Sequence, residues 1–249
     1  MEIVAVIPAR FASTRLPGKP LLSDTGRPLI RHVVEGARRA TRLDRVIVAT
    51  DDTRIAEAVI EFGGECVMTR SDHPTGTDRV AEVAAGLPGA RIVVNLQGDE
   101  PEISGHALDL VVGLLERDPD ATMATLATPI VSEEVYNDPS CVKVVCSGSG
   151  RALYFSRSPI PHHRDGVSGR PPGQPLAYLH LGLYAYRRDF LLELATFPPS
   201  PLESAERLEQ LRVLEAGRPI AVGIVDEPSV GIDTPEDYRR FVARWRAAH

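Results

Sequence analysis

The sequence predicts an α/β fold built around a mostly parallel β-sheet. In the first half of the chain, short apolar runs alternate with stretches of helical periodicity, which is the rhythm of successive βαβ units. The first run, Ile3 to Ile7, is continuously apolar and rich in β-branched residues, as expected for a central parallel strand that is covered on both faces. The crossovers between such strands are right-handed.

Local signals place the elements of the first half in order. Pro8 closes the first strand, Asp52 or Thr53 can cap the second helix, and Gly63 with Gly64 ends it. Ligands of such sheets gather outside the carboxyl ends of the strands, so the loops that follow the strands are candidate site segments. The predicted elements are strands at 3–8, 45–50, 65–69 and 91–96, and helices at about 28–40, 53–62 and 77–86.

The second half has a more mixed pattern. Residues 158–175 are rich in Pro, Gly, His and Arg, which predicts an irregular or mobile loop. Neither an internal repeat nor a linker separates the halves, so we expect a single domain over 1–249. The predicted elements are strands near 121–128, 141–146 and 177–186, and helices at 203–216, with a buried stripe of Leu208, Leu211 and Leu214, and at 235–247.

The composition narrows the possible partners. The chain has 249 residues and a net charge of −6, which argues against a broad nucleic-acid footprint. Its apolar runs are too short for a secretion signal or a membrane span. We therefore expect a cytoplasmic protein without nucleic-acid or membrane partners. The three cysteines form no C-x-x-C pair and are expected to be reduced thiols.

A cationic loop follows the first strand. Arg10, Arg15 and Lys19 lie in it, with Ser13 between them, and no acidic residue occurs between Ile3 and Ser23. Local positive charge on an acidic protein indicates an anionic ligand, and a triphosphate suits the combination of planar guanidinium groups with a point charge. The alternative is a solvated loop with scattered charges.

Two acidic segments are candidate metal sites. In QGDEP, Asp99 would lie at the carboxyl end of a strand, where one carboxylate and substrate phosphates could bind Mg²⁺. In GIDTPED, Asp233 precedes the helix-start signal of Thr234 and Pro235. Each has a structural alternative, because Asp99 could be a turn or helix-start residue and Asp233 could belong to the helix cap or to a turn.

Three polar segments are open to two interpretations each. The loop from Arg70 to Gly76 could contact a base edge or lie on the surface. In HLGLY, alternation places His180 and Tyr184 on one strand face, where they could bind a polyol or satisfy each other. Glu209 and Gln210, beside the predicted leucine stripe, could bind a ligand or be solvated.

Several common catalytic motifs are absent. The sequence has no G-x-x-x-x-G-K-[ST], no G-x-G-x-x-G and no G-x-S-x-G. These absences argue against a P-loop ATPase, a dinucleotide-dependent dehydrogenase and an α/β-hydrolase. His162 and His163 lack close Cys partners, so a zinc site is not expected there.

The ordered set of motifs resembles one enzyme family over essentially the whole chain. IPARFASTRLPGKPL and VNLQGDEP are shared loosely with other sugar nucleotidyltransferases, whereas HLGLYAYR, SPLESAERLEQLR and GIDTPEDY are more specific. Together with VATDD, TRSDHPTGTDR and SRSPIP they resemble the 3-deoxy-manno-octulosonate (Kdo) cytidylyltransferases, the CMP-Kdo synthetases of Gram-negative bacteria.

The resemblance implies a fold and a reaction. The fold is a three-layer α/β/α arrangement with a mostly parallel mixed sheet, like that of the nucleotide-diphospho-sugar transferases. The reaction is a nucleotidyl transfer in which CTP and Kdo give CMP-Kdo and pyrophosphate with Mg²⁺, for lipopolysaccharide biosynthesis. It also implies a homodimer, a mainly nucleotide-binding half at 1–128, and a mainly sugar-binding and dimerisation half at 129–249.

The resemblance also assigns residues. Lys19, Arg15, Asp99 and Asp233 would be catalytic, with Asp99 and Asp233 binding Mg²⁺. The nucleotide-binding set is Arg10, Ser13, Arg15, Lys19, Arg70, Ser71, Gly76 and Gln97. The sugar-binding set is Arg157, His180, Tyr184, Glu209 and Gln210.

One departure from the family pattern concerns the sugar. His162 and His163 follow SRSPIP, where relatives often carry other residues, so an amino-substituted acceptor such as 8-amino-Kdo stays open. Three further functions compete with Kdo activation. They are a CMP-sialate-type synthetase, a glycosyltransferase that consumes an NDP-sugar without releasing pyrophosphate, and a regulatory protein that binds CTP without turnover.

Overall fold

The computed structural model describes residues 2–12, 16–167, 173–226 and 230–248. The chain packs as two compact units, Met1–Asp109 with Ser229–His249, and Leu110–Pro228. The family resemblance instead implies a division at residue 128. The terminal segment after Ser229 thus packs with the first unit, although it is distant from it in sequence. The prediction of a single domain stays a prediction.

The first unit contains a parallel sheet. Residues Val4 to Ile7 of the central strand are fully buried, as the continuous apolar run predicts. Val6 of that strand lies opposite Ile47 on one side and Asn95 on the other. The strands are β1 (Glu2–Ala9), β2 (Arg45–Thr50), β3 (Glu65–Met68) and β4 (Ala90–Asn95). Their order in the sheet is β3-β2-β1-β4.

Side-chain caps begin two helices of the first unit, and the cap at Asp52 is the one that the sequence predicts. The Asp52 carboxylate accepts a hydrogen bond from Arg54 N at the start of the second helix. Thr75 and Asp78 form a reciprocal capping box at the start of the third. These helices are α1 (Leu29–Ala37), α2 (Thr53–Glu61), α3 (Gly76–Ala85) and the beginning of α4 (Gly105–Arg117), which is not predicted from the sequence.

An apolar cluster brings the last part of the chain to the loop that follows β1. The terminal helix, Pro235–Ala248 (numbered α9 in chain order), contributes Tyr238 and Phe241, and Ile232 precedes it. They pack with Leu16 and with Leu29, the first residue of the first helix. Burial of this cluster places position 233 close to the short 3₁₀ turn at Lys19–Leu21.

The second unit contains a mixed sheet. Its strand β5 (Met123–Ile130) pairs antiparallel with one neighbour and parallel with the other. The remaining strands are β6 (Lys143–Cys146), β7 (Ala152–Ser156), β8 (Ala177–Arg187) and β9 (Ile220–Ile224). β8 is the antiparallel neighbour of β5, β9 is the parallel one, and β6 pairs antiparallel with both β7 and β8. Strands β7 and β9 are not predicted from the sequence. The predicted α/β class with a mixed sheet is confirmed.

The prediction of one helix over 203–216 is wrong. Arg207 has a φ of 55°, which ends the first segment, and Arg212 then donates to the Glu203 carboxylate at 2.5 and 2.7 Å. On one continuous helix, Glu203 and Arg212 would be nine residues apart, which is about 14 Å along the axis. Their pairing therefore requires the break. The helices are α5 (Glu133–Asn137), α6 (Arg188–Leu194), α7 (Pro201–Glu206) and α8 (Gln210–Glu215).

The loop predicted at 158–175 has no strand or α-helix among its described residues, 158–167 and 173–175. Its first part is anchored by Tyr136, whose hydroxyl donates to the Pro161 carbonyl oxygen at 2.7 Å. The His163 ring nitrogen lies 2.8 Å from the Leu176 carbonyl oxygen. The irregular structure is thus confirmed for these residues, whereas the predicted mobility is not tested.

Within the part of the chain that the structure describes, no helix combines the length and the apolar character needed to cross a bilayer.

Candidate active site

A cavity of about 450 Å³ lies at the carboxyl ends of β1 and β4. Arg10 follows the first of these strands, and Gln97 to Asp99 follow the second. The prediction that the cationic loop and QGDEP share one edge of the sheet is therefore confirmed. The lining residues are Pro8, Ala9, Arg10, Ala12, Lys19, Pro20, Gly76, Gln97, Gly98, Asp99 and Asp233.

Gly98 allows the two strand ends to approach each other closely. A Cβ atom at this position would lie 2.9 Å from the Pro8 carbonyl oxygen, which is backbone and cannot rotate away. A larger residue would therefore push the 97–99 segment, and Asp99 with it, away from the end of β1.

We expect Gly98→Ala to lower kcat roughly tenfold or more, because small displacements of positioned groups have large effects on rate. The matched control is Gly89→Ala, since a Cβ atom at Gly89 meets no atom within 4 Å. Steady-state kinetics of both variants would test this. Equal rates for the two variants would show that the close approach at Gly98 does not position the site.

The Lys19 ammonium lies among three oxygens. It is 2.7 Å from Asp99 Oδ2, 2.7 Å from the Ile232 carbonyl oxygen and 3.4 Å from Asp233 Oδ1. The Lys19 side chain is 13% exposed, against 28% for Asp99 and 50% for Asp233. One cation thus links two carboxylates that are 134 residues apart in the sequence.

Asp233 can face Lys19 because neighbouring residues cap the helix that follows it. Thr234 Oγ1 accepts from Asp237 N at 3.2 Å, and the Asp237 carboxylate accepts from both Thr234 N and Thr234 Oγ1. These bonds hold the pKa of Asp237 below its usual value. Ile232 N donates to the Asp99 carbonyl oxygen at 2.9 Å, which ties the two acidic segments together. The helix cap is thus made by Thr234 and Asp237, and Asp233 Oδ1 faces Lys19.

The donor set suits a hard divalent cation. Carboxylate oxygens are the ligands that Mg²⁺ prefers, and it is usually bound by one or two carboxylates together with substrate phosphates. Among the described residues, no group of three or more His, Cys, Asp or Glu side chains is placed to bind a metal ion. Asp99 and Asp233 therefore fit Mg²⁺ that arrives with phosphate ligands, rather than a closed protein cage.

Arg10 connects the cationic loop to the polar loop that precedes α3. Its Nη2 donates to the carbonyl oxygens of His73 at 2.6 Å and Thr75 at 3.1 Å. Within that loop, His73 is buried and bonds to the Glu82 carboxylate, which lowers the pKa of Glu82. These bonds hold the segment that precedes Gly76, and Arg10 and Gly76 both line the cavity.

Arg70 and Ser71 are exposed and do not line this cavity. The Arg70 guanidinium lies 3.6 Å from the Asp72 carboxylate and 4.0 Å from that of Glu82. Of the loop from Arg70 to Gly76, which could contact a base edge or lie on the surface, Gly76 alone is among the lining residues of the cavity.

A second polar cluster lies in the other unit, on β5 and β8. His180 Nε2 is 3.1 Å from Thr125 Oγ1, and the Thr125 hydroxyl donates to the Leu183 carbonyl oxygen at 2.8 Å. The His180 ring packs at a centroid distance of 5.0 Å from Phe155 and 5.4 Å from Tyr184. The contact between the two rings agrees with the shared strand face that alternation predicts for His180 and Tyr184.

Burial controls the charge of this cluster. Loss of hydration lowers the pKa of His180 to about 3 and raises the pKa of Tyr184 well above its usual value. Both side chains are therefore neutral near pH 7 and interact as hydrogen-bonding groups.

This pKa predicts how stability depends on pH. Below about pH 6.5 the unfolded chain takes up a proton at His180 that the folded chain refuses, so folding stability falls as the pH drops toward 3. Between pH 7 and pH 5, the wild-type protein should lose more free energy of unfolding than His180→Gln. Urea titrations at both pH values would measure this, with the exposed His106→Gln as the control. Equal losses for wild type and His180→Gln would contradict the assignment.

Gln210 adds an unsatisfied donor to the cluster. Its Oε1 accepts from the Tyr184 hydroxyl at 3.3 Å, whereas its Nε2 is buried without a hydrogen-bond partner among the described residues. The side chain is 4% exposed, so the interpretation of Gln210 as a solvated residue is wrong. A buried amide without an acceptor is costly unless a ligand or water supplies one.

Arg157 lies at the end of β7 and is bound to backbone carbonyls. Its guanidinium donates to the carbonyl oxygens of Glu206 at 2.8 Å, Pro139 at 3.1 Å and Arg207 at 3.5 Å. The Glu206 carboxylate in turn accepts from Arg157 N at 2.9 Å. This network orients Arg157 and leaves part of its donor set for a ligand.

Comparisons with known proteins agree over most of the chain. The family model for cytidylyltransferases matches residues 4–220. A 3-deoxy-manno-octulosonate cytidylyltransferase of Syntrophotalea carbinolica is 51% identical, with 99% of each chain covered. One of Syntrophobacter fumaroxidans is 52% identical, with 97% of this chain and 96% of the relative covered. The chain belongs to the 3-deoxy-manno-octulosonate cytidylyltransferase family. A solved CMP:2-keto-3-deoxy-manno-octonic acid synthetase complexed with CTP is 43% identical, with a TM-score of 0.93 over 100% of both chains.

In this member of the 3-deoxy-manno-octulosonate cytidylyltransferase family, the predicted site residues lie in two groups. Lys19, Asp99 and Asp233 meet at one cavity, beside Arg10, Gly76 and Gln97. His180, Tyr184 and Gln210 form the second cluster, and Glu209 lies exposed beside it at the start of α8. Ser13 and Arg15 lie outside the described residues, so their predicted roles stay predictions.

Two residues of these networks are not predicted from the sequence. Thr125 orients His180 but lies inside an apolar strand without any distinguishing signal. Lys143 is fully buried, and its ammonium donates to the carbonyl oxygens of Asp138, Cys141 and Arg157. A single lysine within the apolar run around Val142 and Val144 was a usable signal, because a buried cation needs several hydrogen-bond acceptors.

Proposed function

We propose that this protein transfers CMP from CTP to the anomeric hydroxyl of Kdo, giving CMP-Kdo and pyrophosphate, in lipopolysaccharide biosynthesis. The observation that carries the proposal is the meeting of Lys19 with Asp99 and Asp233 in a cavity at the strand ends. The family membership of the whole chain supports the same reaction.

The nucleotide is bound by charge and position. Phosphoryl-type transfer depends on placing the reacting groups and neutralising charge, with little covalent help from the protein. Arg10 and Lys19 bind the triphosphate, and Gln97 and Gly76 line its site. The family resemblance adds Arg15 and Ser13 to the triphosphate-binding residues. It also assigns Arg70 and Ser71 to the nucleotide. Asp99 and Asp233 would hold Mg²⁺, which would neutralise charge at the phosphate when bound.

The acceptor sugar is bound by neutral hydrogen-bonding groups and one cation. His180 and Tyr184 are uncharged near pH 7, and Gln210 offers a buried amide donor, as polyol recognition requires. Kdo carries a carboxylate, for which Arg157 provides a positive charge. Glu209 completes the set at the start of α8. The C2 hydroxyl of the sugar then attacks the α-phosphorus, and pyrophosphate leaves in line.

Two other acid sugars are candidate acceptors beside Kdo. His162 and His163 keep 8-amino-Kdo as a second candidate acceptor, and a sialate-type acid is a third.

We also propose that the enzyme works as a homodimer in the cytoplasm. Sedimentation of the purified protein would test the dimer.

The decisive experiment measures pyrophosphate release from CTP and Mg²⁺ with Kdo, with 8-amino-Kdo, with sialic acid and with no acceptor. We expect release with Kdo only. Release with another acid sugar would change the acceptor but keep the reaction class. If CTP binds but no acceptor supports release, the protein is a CTP-binding regulator, and the proposal fails.

A further inference from the structure

Lys19 occupies a position suited to a small cation. Its ammonium faces three oxygens, from Asp99, Ile232 and Asp233, at 2.7, 2.7 and 3.4 Å. We propose that Lys19 keeps the divalent metal from these carboxylates until CTP binds, so that the metal enters with or after the nucleotide. This inference rests on the proposed function, which assigns Mg²⁺ to Asp99 and Asp233.

The use of lysine rather than arginine at position 19 indicates that an ammonium group is needed there. The chain has 28 strongly basic residues, of which 26 are arginine, and Lys19 and Lys143 are the two lysines. Lys143 also directs its nitrogen to three oxygens, at 2.6, 2.6 and 2.9 Å. A planar guanidinium cannot aim three hydrogens from one nitrogen at converging oxygens, whereas an ammonium can. The lysines thus occur where one nitrogen serves three acceptors.

Competition follows from the shared oxygens. A metal ion bound to Asp99 and Asp233 would lie within a few ångströms of the Lys19 ammonium, and like charges at that distance repel strongly in a partly buried site. Metal entry therefore requires Lys19 to move away from the carboxylates. A bound triphosphate supplies new oxygen partners for the ammonium and further ligands for the metal, so the nucleotide removes the block.

The test uses Mn²⁺ as the probe, with binding to the purified protein measured by electron paramagnetic resonance in the absence of nucleotide. Lys19→Met and Lys19→Gln both remove the charge, and the glutamine can still donate to the carboxylates if methionine impairs folding. We expect either variant to bind Mn²⁺ roughly tenfold or more tightly than the wild type. The double variant Lys19→Met with Asp99→Asn should lose that gain, which would locate the new binding at Asp99.

The outcomes separate this inference from the proposed function. Equal Mn²⁺ affinity of the wild type and both Lys19 variants, or a gain that survives Asp99→Asn, would overturn the block by Lys19. A parallel titration with α,β-methylene-CTP addresses the metal site itself. If Mn²⁺ binding to that complex is the same in the wild type and Asp99→Asn, the carboxylate assignment fails, and the inference fails with it.

Discussion

Replacing Asp99 with asparagine is expected to lower kcat on the order of a thousandfold while the protein stays folded. The amide keeps the size of the side chain but removes the negative charge that faces Lys19 at 2.7 Å. It also removes a proposed Mg²⁺ ligand, since a neutral amide oxygen binds the ion much more weakly than a carboxylate. Pyrophosphate release at saturating CTP and Kdo would measure the loss, and circular dichroism would confirm the fold.

A matched control makes the same chemical change on the surface. Asp189 has a side chain that is 96% exposed, and Asp189→Asn should leave kcat unchanged. Normal turnover by Asp99→Asn would remove Asp99 from the catalytic and metal assignments. Equal losses in both variants would point instead to a general effect of lost surface charge.

The largest expected effect on stability is that of Lys143→Met. The lysine is fully buried, and its ammonium donates to three carbonyl oxygens at 2.6 to 2.9 Å. Methionine keeps the chain length but leaves those buried acceptors without a donor, so the free energy of unfolding should fall by about 3 kcal/mol. For a chain of this size, the melting temperature should drop by about 6–12 °C. One of the three carbonyls belongs to Arg157, so the KM for Kdo should rise as well.

The control is Arg239→Met, which removes a cation whose side chain is 71% exposed. Surface ion pairs contribute little, so this variant should melt within about 2 °C of the wild type. Thermal melts followed by circular dichroism would compare the two. A Lys143→Met protein that melts with the control would show that the three carbonyl bonds do not stabilise the fold.

Local signals identified most of the first unit. The continuous apolar run of Ile3 to Ile7 predicted a buried central strand, and Asp52 predicted the start of α2, because both depend on neighbours in the sequence. The break between α7 and α8 could not be predicted this way. It depends on a left-handed Arg207 and on the pairing of Arg212 with Glu203, which appears only after folding.

The candidate site also combines features that depend on sequence neighbours with features that depend on contacts formed on folding. The position of Asp99 after an apolar strand predicted its place at the edge of the sheet. The role of Asp233 was ambiguous, because the capping signal of Thr234 is equally strong whether or not the preceding carboxylate turns to Lys19. The burial of Gln210 was hidden for a related reason: a continuous helix over 203–216 would have left it beside the buried stripe rather than against Tyr184.

The unequal accessibility of the two lysines makes the protein suitable for amine-selective labelling. Lys143 is closed to solvent, whereas Lys19 lies in the cavity with its side chain 13% exposed. Of the two lysine side chains, Lys19 is therefore the one that a small acylating reagent can reach in the native protein, and it lies at the proposed triphosphate site. The mass of a single peptide would then report whether that site is filled, without a chromophore, a radiolabel or a coupled enzyme.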